Sequence, residues 1–128
     1  MKEPIWLELN VVLALHDRLL AEHGGPEGLR DLGLLESALA RPRQAFSYSH
    51  PDLALLATTY VAGILRNHPF VDGNKRTGFM AGYIFLARNN LQLTASESAA
   101  AQSVLALAAG DLTEEAFADW LRNNTEPR

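Results

Sequence analysis

Residues 74 to 90, "NKRTGFMAGYIFLARNN", constrain the fold more than any other stretch of the chain. Past its first few positions the segment is apolar nearly all round, with Phe79, Met80, Ala81, Tyr83, Ile84, Phe85 and Leu86 covering every side of a helix. A helix of that kind belongs in the interior of a domain. It also carries Gly78 and Gly82, each costing about 1 kcal/mol against alanine inside a helix. Their spacing places both on one face, which predicts another helix in close approach there.

The remaining sequence supplies the partners. Alanine and leucine dominate and β-branched residues are sparse, a composition that favours helices. A first helix is predicted from Glu8 to Glu22, with Leu9, Val12, Leu13, Leu15, Leu19 and Leu20 forming its apolar stripe and Gly24 as a left-handed cap. A short second helix is expected near Leu32 to Ala40, stopping before Pro42, with residues 42 to 49 as a loop. A third, with Pro51 in its first turn and Ser49 or His50 as cap, runs to Asn67, where Pro69 bars its continuation. The fourth spans Asn74 to Asn89 or Asn90. "TASE", Thr94 to Glu97, has capping-box spacing and opens a fifth that ends at Gly110. Thr113 opens a sixth through Arg122, its early Glu114 and Glu115 suiting the helix dipole. "LQL" at 91 to 93 is too short to argue for a sheet. The expected fold is all-α: one domain over residues 1–128, a bundle of about six helices around a buried central one.

Composition removes several functions. A chain of 128 residues matches one ordinary domain. It has no cysteine, which excludes disulfides, thiol redox chemistry and thiolate metal sites. No apolar run nears the ~20 residues that span a bilayer, and "MKEPIWLELN" lacks the features of a signal peptide. A cytoplasmic location without membrane attachment is expected. The formal net charge of −4 speaks against direct nucleic-acid binding.

The chemistry concentrates in "HPFVDGNKRTGF", His68 to Phe79, a bend between two apolar helices. The start of a helix presents free N–H groups and a partial positive charge, a ready site for phosphate. Gly73 lets a phosphate approach the backbone, and Lys75 and Arg76 add a point charge and a forked donor. Asp72 would repel a phosphate unless a cation lay between them, and magnesium suits both. His68 can exchange a proton near neutral pH and serve as general base. Taken singly, each has a plainer reading. Asp72 or Asn74 caps the fourth helix, Lys75 and Arg76 are solvated charges, and His68 is a structural histidine. Together the plain readings weaken, because two cations at a helix start oppose the dipole. Phe70 reads as a core anchor. His16, His23 and His50 read as structural. The P-loop frame is absent, Pro69 breaks any helical His68–Asp72 zinc pair, and there is no G-x-S-x-G elbow.

"HPFVDGNKR" resembles the H-x-F-x-(D/N)-(A/G)-N-K-R signature of the Doc (death-on-curing) branch of the Fic/Doc superfamily. Leu13 to Pro42 is similar to the amino-terminal part of Doc-type proteins, and "IFLARNNLQL" echoes a further family segment, so the resemblance covers roughly residues 5 to 110. It implies a compact all-α toxin that moves the γ-phosphate of ATP to a protein hydroxyl, a threonine of elongation factor Tu, and so blocks translation. By position, His68 would be the base, Asp72 the magnesium ligand, and Gly73, Asn74, Lys75 and Arg76 the phosphate cradle, with Arg66 as a further nucleotide-binding residue. Lys75 and Arg76 would also act in catalysis. The broader Fic pattern, H-P-F-x-(D/E)-G-N-G-R-x-x-R, goes with AMP transfer. Here Lys75 replaces its second glycine and Phe79 its last arginine. "HPF" and Gly73 fit both branches, so AMP transfer stands as an alternative, and a non-catalytic partner-binding protein as another. The intact His68, Asp72, Asn74 and Arg76 set speaks against the latter. The resemblance further implies a separate antitoxin with a disordered tail. The internal inhibitory pattern of some Fic proteins, (S/T)-x-x-x-E-(G/N), is missing, since Glu27–Gly28 is preceded at the required place by His23.

Overall fold

The computed structural model describes residues 2–128. Helices α1 (Leu9–His23), α2 (Leu32–Ser49), α3 (Leu53–Asn67), α4 (Asn74–Arg88), α5 (Glu97–Ala109) and α6 (Glu114–Asn123) make up the bundle, and β1 (Leu91–Leu93) pairs with β2 (Thr125–Pro127). The all-α expectation of six helices holds. The central position, however, is taken by α3 and not α4. Every residue from Leu56 to Ile64 is buried, whereas α4 leaves Met80, Tyr83 and Ile84 partly exposed. The difference lies in side-chain size: α3 offers alanine, threonine and glycine on several faces, so helices can surround it, with α2, α4 and α6 as its main neighbours. The hydroxyls this buries are satisfied locally, Thr58 donating to the Ala54 carbonyl and Thr59 to that of Leu55, both at 2.8 Å.

The close approach predicted by Gly78 and Gly82 is present, and the neighbour is α3. A Cβ on Gly78 would lie 3.3 Å from the Val61 carbonyl oxygen, and one on Gly82 would lie 2.7 Å from Val61 Cγ2. Gly63 does the same for α2, where a Cβ would meet that of Ala38 at 3.2 Å. Around these backbones pack Tyr60 and Phe85, 5.0 Å between ring centroids, with Trp6 stacked on Phe85 at 6.0 Å.

Packing and longer-range bonds override the local sequence signals at several places. Helix α2 runs through Pro42 to Ser49. Proline removes one intrahelical bond and costs about 3 kcal/mol, but Leu35, Leu39, Pro42 and Phe46 form one buried stripe. Burying side chains such as Leu35, Leu39 and Phe46, at ~1.5–3 kcal/mol each, outweighs the break. The cap of α3 is Asp52, whose side chain accepts from the Leu55 N–H, and Pro51 precedes it. Ser96, not Thr94, caps α5 by accepting from Ala99. Thr94 instead donates its N–H to Asn124. Gly24 closes α1 with φ 74°, but ψ 179° lies outside the left-handed helical region. "LQL" does form a strand, antiparallel to Thr125–Pro127. So short a ribbon is marginal by itself; it persists because Leu91 and Leu93 pack on the core.

Two stability outcomes follow. Gly82→Ala gains ~1 kcal/mol of helix propensity but presses on Val61, whose β-branched side chain is stiff in a helix; net destabilisation of about 1–3 kcal/mol is expected. In urea unfolding, adding Val61→Ala should cost less than the sum of the single losses, and strict additivity would refute the contact. Asp52 both caps α3 and takes a forked contact from Arg122 at 2.7 and 3.0 Å. That contact holds its carboxyl below the usual carboxylate range, against the opposing effect of partial burial. A depressed folded-state pKa adds stability that is complete above the unfolded value of ~3.9 and is lost as pH falls through the folded one. Asp52→Ala should therefore cost about 1–2 kcal/mol near neutral pH, with the gap to the native chain closing below about pH 4.

Candidate active site

Helix α3 ends at His68, which takes a left-handed conformation, φ 50° and ψ 53°. The chain then turns through Pro69–Gly73 into α4. Phe70 anchors this bend in the core, 1% exposed. Asn74 closes it: its Oδ1 accepts from the Phe70 N–H at 3.0 Å and its Nδ2 donates to the Phe70 carbonyl at 2.9 Å. The Asn74 side chain is thus spent on the loop, and only its main-chain N–H is left to serve a cradle. Gly73 is left-handed with φ 79°, and a Cβ there would meet nothing closer than His16 at 3.7 Å. Glycine is needed at 73 for its backbone angle more than for space.

The amino end of α4 has no side-chain cap. Thr77 makes the first return bond, to the Gly73 carbonyl. Among the described residues the N–H groups of Asn74, Lys75 and Arg76 meet no acceptor. Nor does Lys75 or Arg76 lie within ion-pair distance of a carboxylate there. Two unpaired cations at the positive end of a helix dipole are unfavourable for the chain alone, and an anion would relieve them. A hollow of about 440 Å³ opens at this point, lined by His68, Asp72, Gly73, Asn74, Lys75 and Arg76 together with Leu65 and Ala108. The predicted residues from His68 to Arg76 therefore converge on one cavity.

Arg66 does not join them. Its guanidinium pairs with Glu114 at 2.6 Å, and Glu114 also receives Arg41 at 3.0 Å. Arg66 lines the neighbouring and larger hollow, about 500 Å³, which touches neither His68 nor Asp72. A carboxylate fixed at the start of α6 captures the side chain, and nothing in the local sequence around Arg66 announces that partner.

Asp72 is held without being consumed. Its Oδ1 accepts from the Gly73 N–H at 2.8 Å, and its main-chain carbonyl accepts from His16 Nε2 at 2.8 Å. Because a carbonyl only accepts, that ring nitrogen carries the hydrogen. The His16 ring is buried and stacks on Phe70, centroids 3.7 Å apart, as befits a structural histidine. Gly25 packs close beside the Asp72 carboxylate: a Cβ there would lie 2.6 Å from Oδ2.

Three of these supports escaped the sequence reading of the site. His16 stands at helical spacing between Val12 and Leu20, a polar member of an apolar stripe, and that was a usable signal. Gly25, with φ 119°, was visible only as half of a Gly pair. Arg30, whose Nε donates to the His68 carbonyl at 2.7 Å, had no sequence signal at all.

A third, more apolar hollow of about 420 Å³ adjoins the one at His68, sharing Lys75 and Arg76 and lined by Leu19, Phe79, Met80 and Leu105. Leu105 is 54% exposed. Among the described residues no cluster of three potential metal ligands occurs, and no helix is long and apolar enough to cross a membrane.

The chain is similar in sequence to known proteins. The model of the Fic/DOC family matches residues 6–86. The protein named "Protein kinase doc" of Escherichia phage P1 is 35% identical over 112 residues, covering 87% of this chain and 88% of that protein. "Toxin Doc" of Mycolicibacterium smegmatis is 45% identical over 75 residues, 56% of this chain and 57% of that one.

The Asn74 clamp yields a direct outcome. Asn74→Ala leaves a buried N–H and a buried carbonyl of Phe70 unpaired, at about 1–3 kcal/mol each. Thermal unfolding should show a drop of several degrees, and an unchanged midpoint would mean the pairing does not hold the loop.

Proposed function

The chain belongs to the Fic/DOC family, to its Doc branch, and from that premise we propose that it is the toxin of a toxin–antitoxin pair, a cytoplasmic enzyme that transfers the γ-phosphate of ATP to a hydroxyl of elongation factor Tu. The observation that carries this reading is the uncapped start of α4, where Lys75 and Arg76, without a carboxylate partner among the described residues, line the same hollow as His68.

In this reading the main-chain N–H groups of Asn74, Lys75 and Arg76 and the two cationic side chains bind the phosphate tail. His68 receives the proton of the acceptor threonine hydroxyl. The bond from that oxygen to the γ-phosphorus forms as the bond to the bridging β–γ oxygen breaks, and ADP leaves. Such transfers depend mostly on positioning and charge stabilisation. Asp72 would hold a magnesium ion, which when bound offsets the charge between carboxylate and phosphate. A lone carboxylate beside a phosphate site suits magnesium, which takes one or two carboxylates and completes its shell with phosphate and water.

Lys75 supports phosphate transfer over AMP transfer, because its side chain occupies the place that glycine leaves open in the AMP-transferring pattern. Phe79 agrees: an aromatic ring lining the apolar hollow stands where that pattern has an arginine. The same apolar hollow is a fitting seat for the tail of an antitoxin. A segment that folds on binding needs exposed apolar area, and here it would also cover Lys75 and Arg76.

The test uses elongation factor Tu, magnesium, and ATP labelled at the α- or the γ-phosphate. Label moving only from the γ position is expected; movement from the α position would replace this reading with AMP transfer. His68→Ala should lower transfer at least ~100-fold, the scale of general-base catalysis, with the melting temperature unchanged. Retained transfer would remove His68 from the base role.

A further inference from the structure

We propose that Arg30 is a positioning residue for His68, an inference that rests on the reading of His68 as the base. His68 occupies a left-handed conformation that side chains other than glycine disfavour. A glycine would cap α3 there without strain, so a histidine at this place must be held by its surroundings. The surroundings are specific. Arg30 donates from Nε to the His68 carbonyl at 2.7 Å and from Nη2 to the Asn67 carbonyl at 2.9 Å. The main-chain N–H groups of Arg30 and Asp31 both donate to the next carbonyl, that of Pro69, at 2.7 and 3.0 Å. Three successive carbonyls, from Asn67 through Pro69, are thus gripped by two adjacent residues.

That grip is tied to the frame of the bundle. The Asp31 side chain caps α2 by accepting from Leu34 at 3.0 Å. Asn67 Nδ2 donates to the Leu34 carbonyl at 2.9 Å. The orientation of the His68 Cα–Cβ bond is therefore set against the start of α2, through a planar fork that fixes two peptide groups at once. The cationic fork also lies on the negative, carboxyl end of α3, where a positive charge is favourable.

Arg30 is exposed and buries no core, so its removal leaves the bundle intact and frees the histidine. A catalytic group displaced by about 1 Å can lose 10²-fold in rate. Arg30→Ala should then lower kcat for phosphate transfer to elongation factor Tu about 10–100-fold, with KM for ATP within about twofold, because the phosphate cradle on α4 is untouched. Arg30→Lys, which can reach one carbonyl but not both, should fall between the two. In nuclear relaxation the order parameter of the His68 amide should drop from about 0.85 toward 0.6, while those of residues 74–76 stay as they are. An Arg30→Ala protein with native kcat and a rigid His68 would overturn the proposal. If His68→Ala keeps full activity, the base assignment fails first. If the native protein leaves elongation factor Tu unmodified, the order parameters alone decide whether Arg30 holds His68.

Discussion

Helix α4 lies directly against the main chain of α3, and the site depends on that contact. With glycine at 78 and 82, Val61 and its carbonyl occupy the space that side chains would take. The closeness leaves little room for one helix to slide along the other. It brings the carboxyl end of α3, with His68, to the amino end of α4, with its free N–H groups. His68 and the first residues of α4 then face one cavity because of how two helices pack.

The connecting bend must be rigid for this to matter, and most of its rigidity is supplied from outside. Phe70 sits in the core, Asn74 pairs with its backbone, His16 reaches in from α1 to the Asp72 carbonyl, and Arg30 grips the turn after Asn67. These contacts hold backbone and leave the groups with chemistry available. Among the described residues the Asp72 carboxylate accepts only from the neighbouring Gly73 N–H, and Lys75 and Arg76 carry no carboxylate partner. Such a division is what a preorganised site requires, since bound charge is then met by groups already in place.

Particular elements show how far the chain could be read in advance. The Gly78–Gly82 pair announced a close helix neighbour, and one is there. The residues His68, Asp72, Gly73, Asn74, Lys75 and Arg76 stood together in the chain, and they line one hollow. Pro42 misled, because a local break was weighed without the buried stripe that overrides it. The partner of Arg66 was illegible for a different reason: Glu114, which pairs with its guanidinium, lies far along the chain. The strand at Leu91 was missed because its partner lies at Thr125–Pro127, and three residues carry no signal without that partner.

The sequence by itself determined what depends on neighbours along the chain: helical character from alanine, leucine and period, several helix ends from glycine and capping hydroxyls, and the gathering of His68, Asp72, Lys75 and Arg76 in one short motif. Tertiary structure decided what depends on distance through space. It placed α3 at the centre, paired Arg66 with Glu114, and brought Arg30, Gly25 and His16 onto the bend. The physical reason is range: propensity and capping act within a few residues, whereas burial and ion pairing select among partners that only the packed chain brings together.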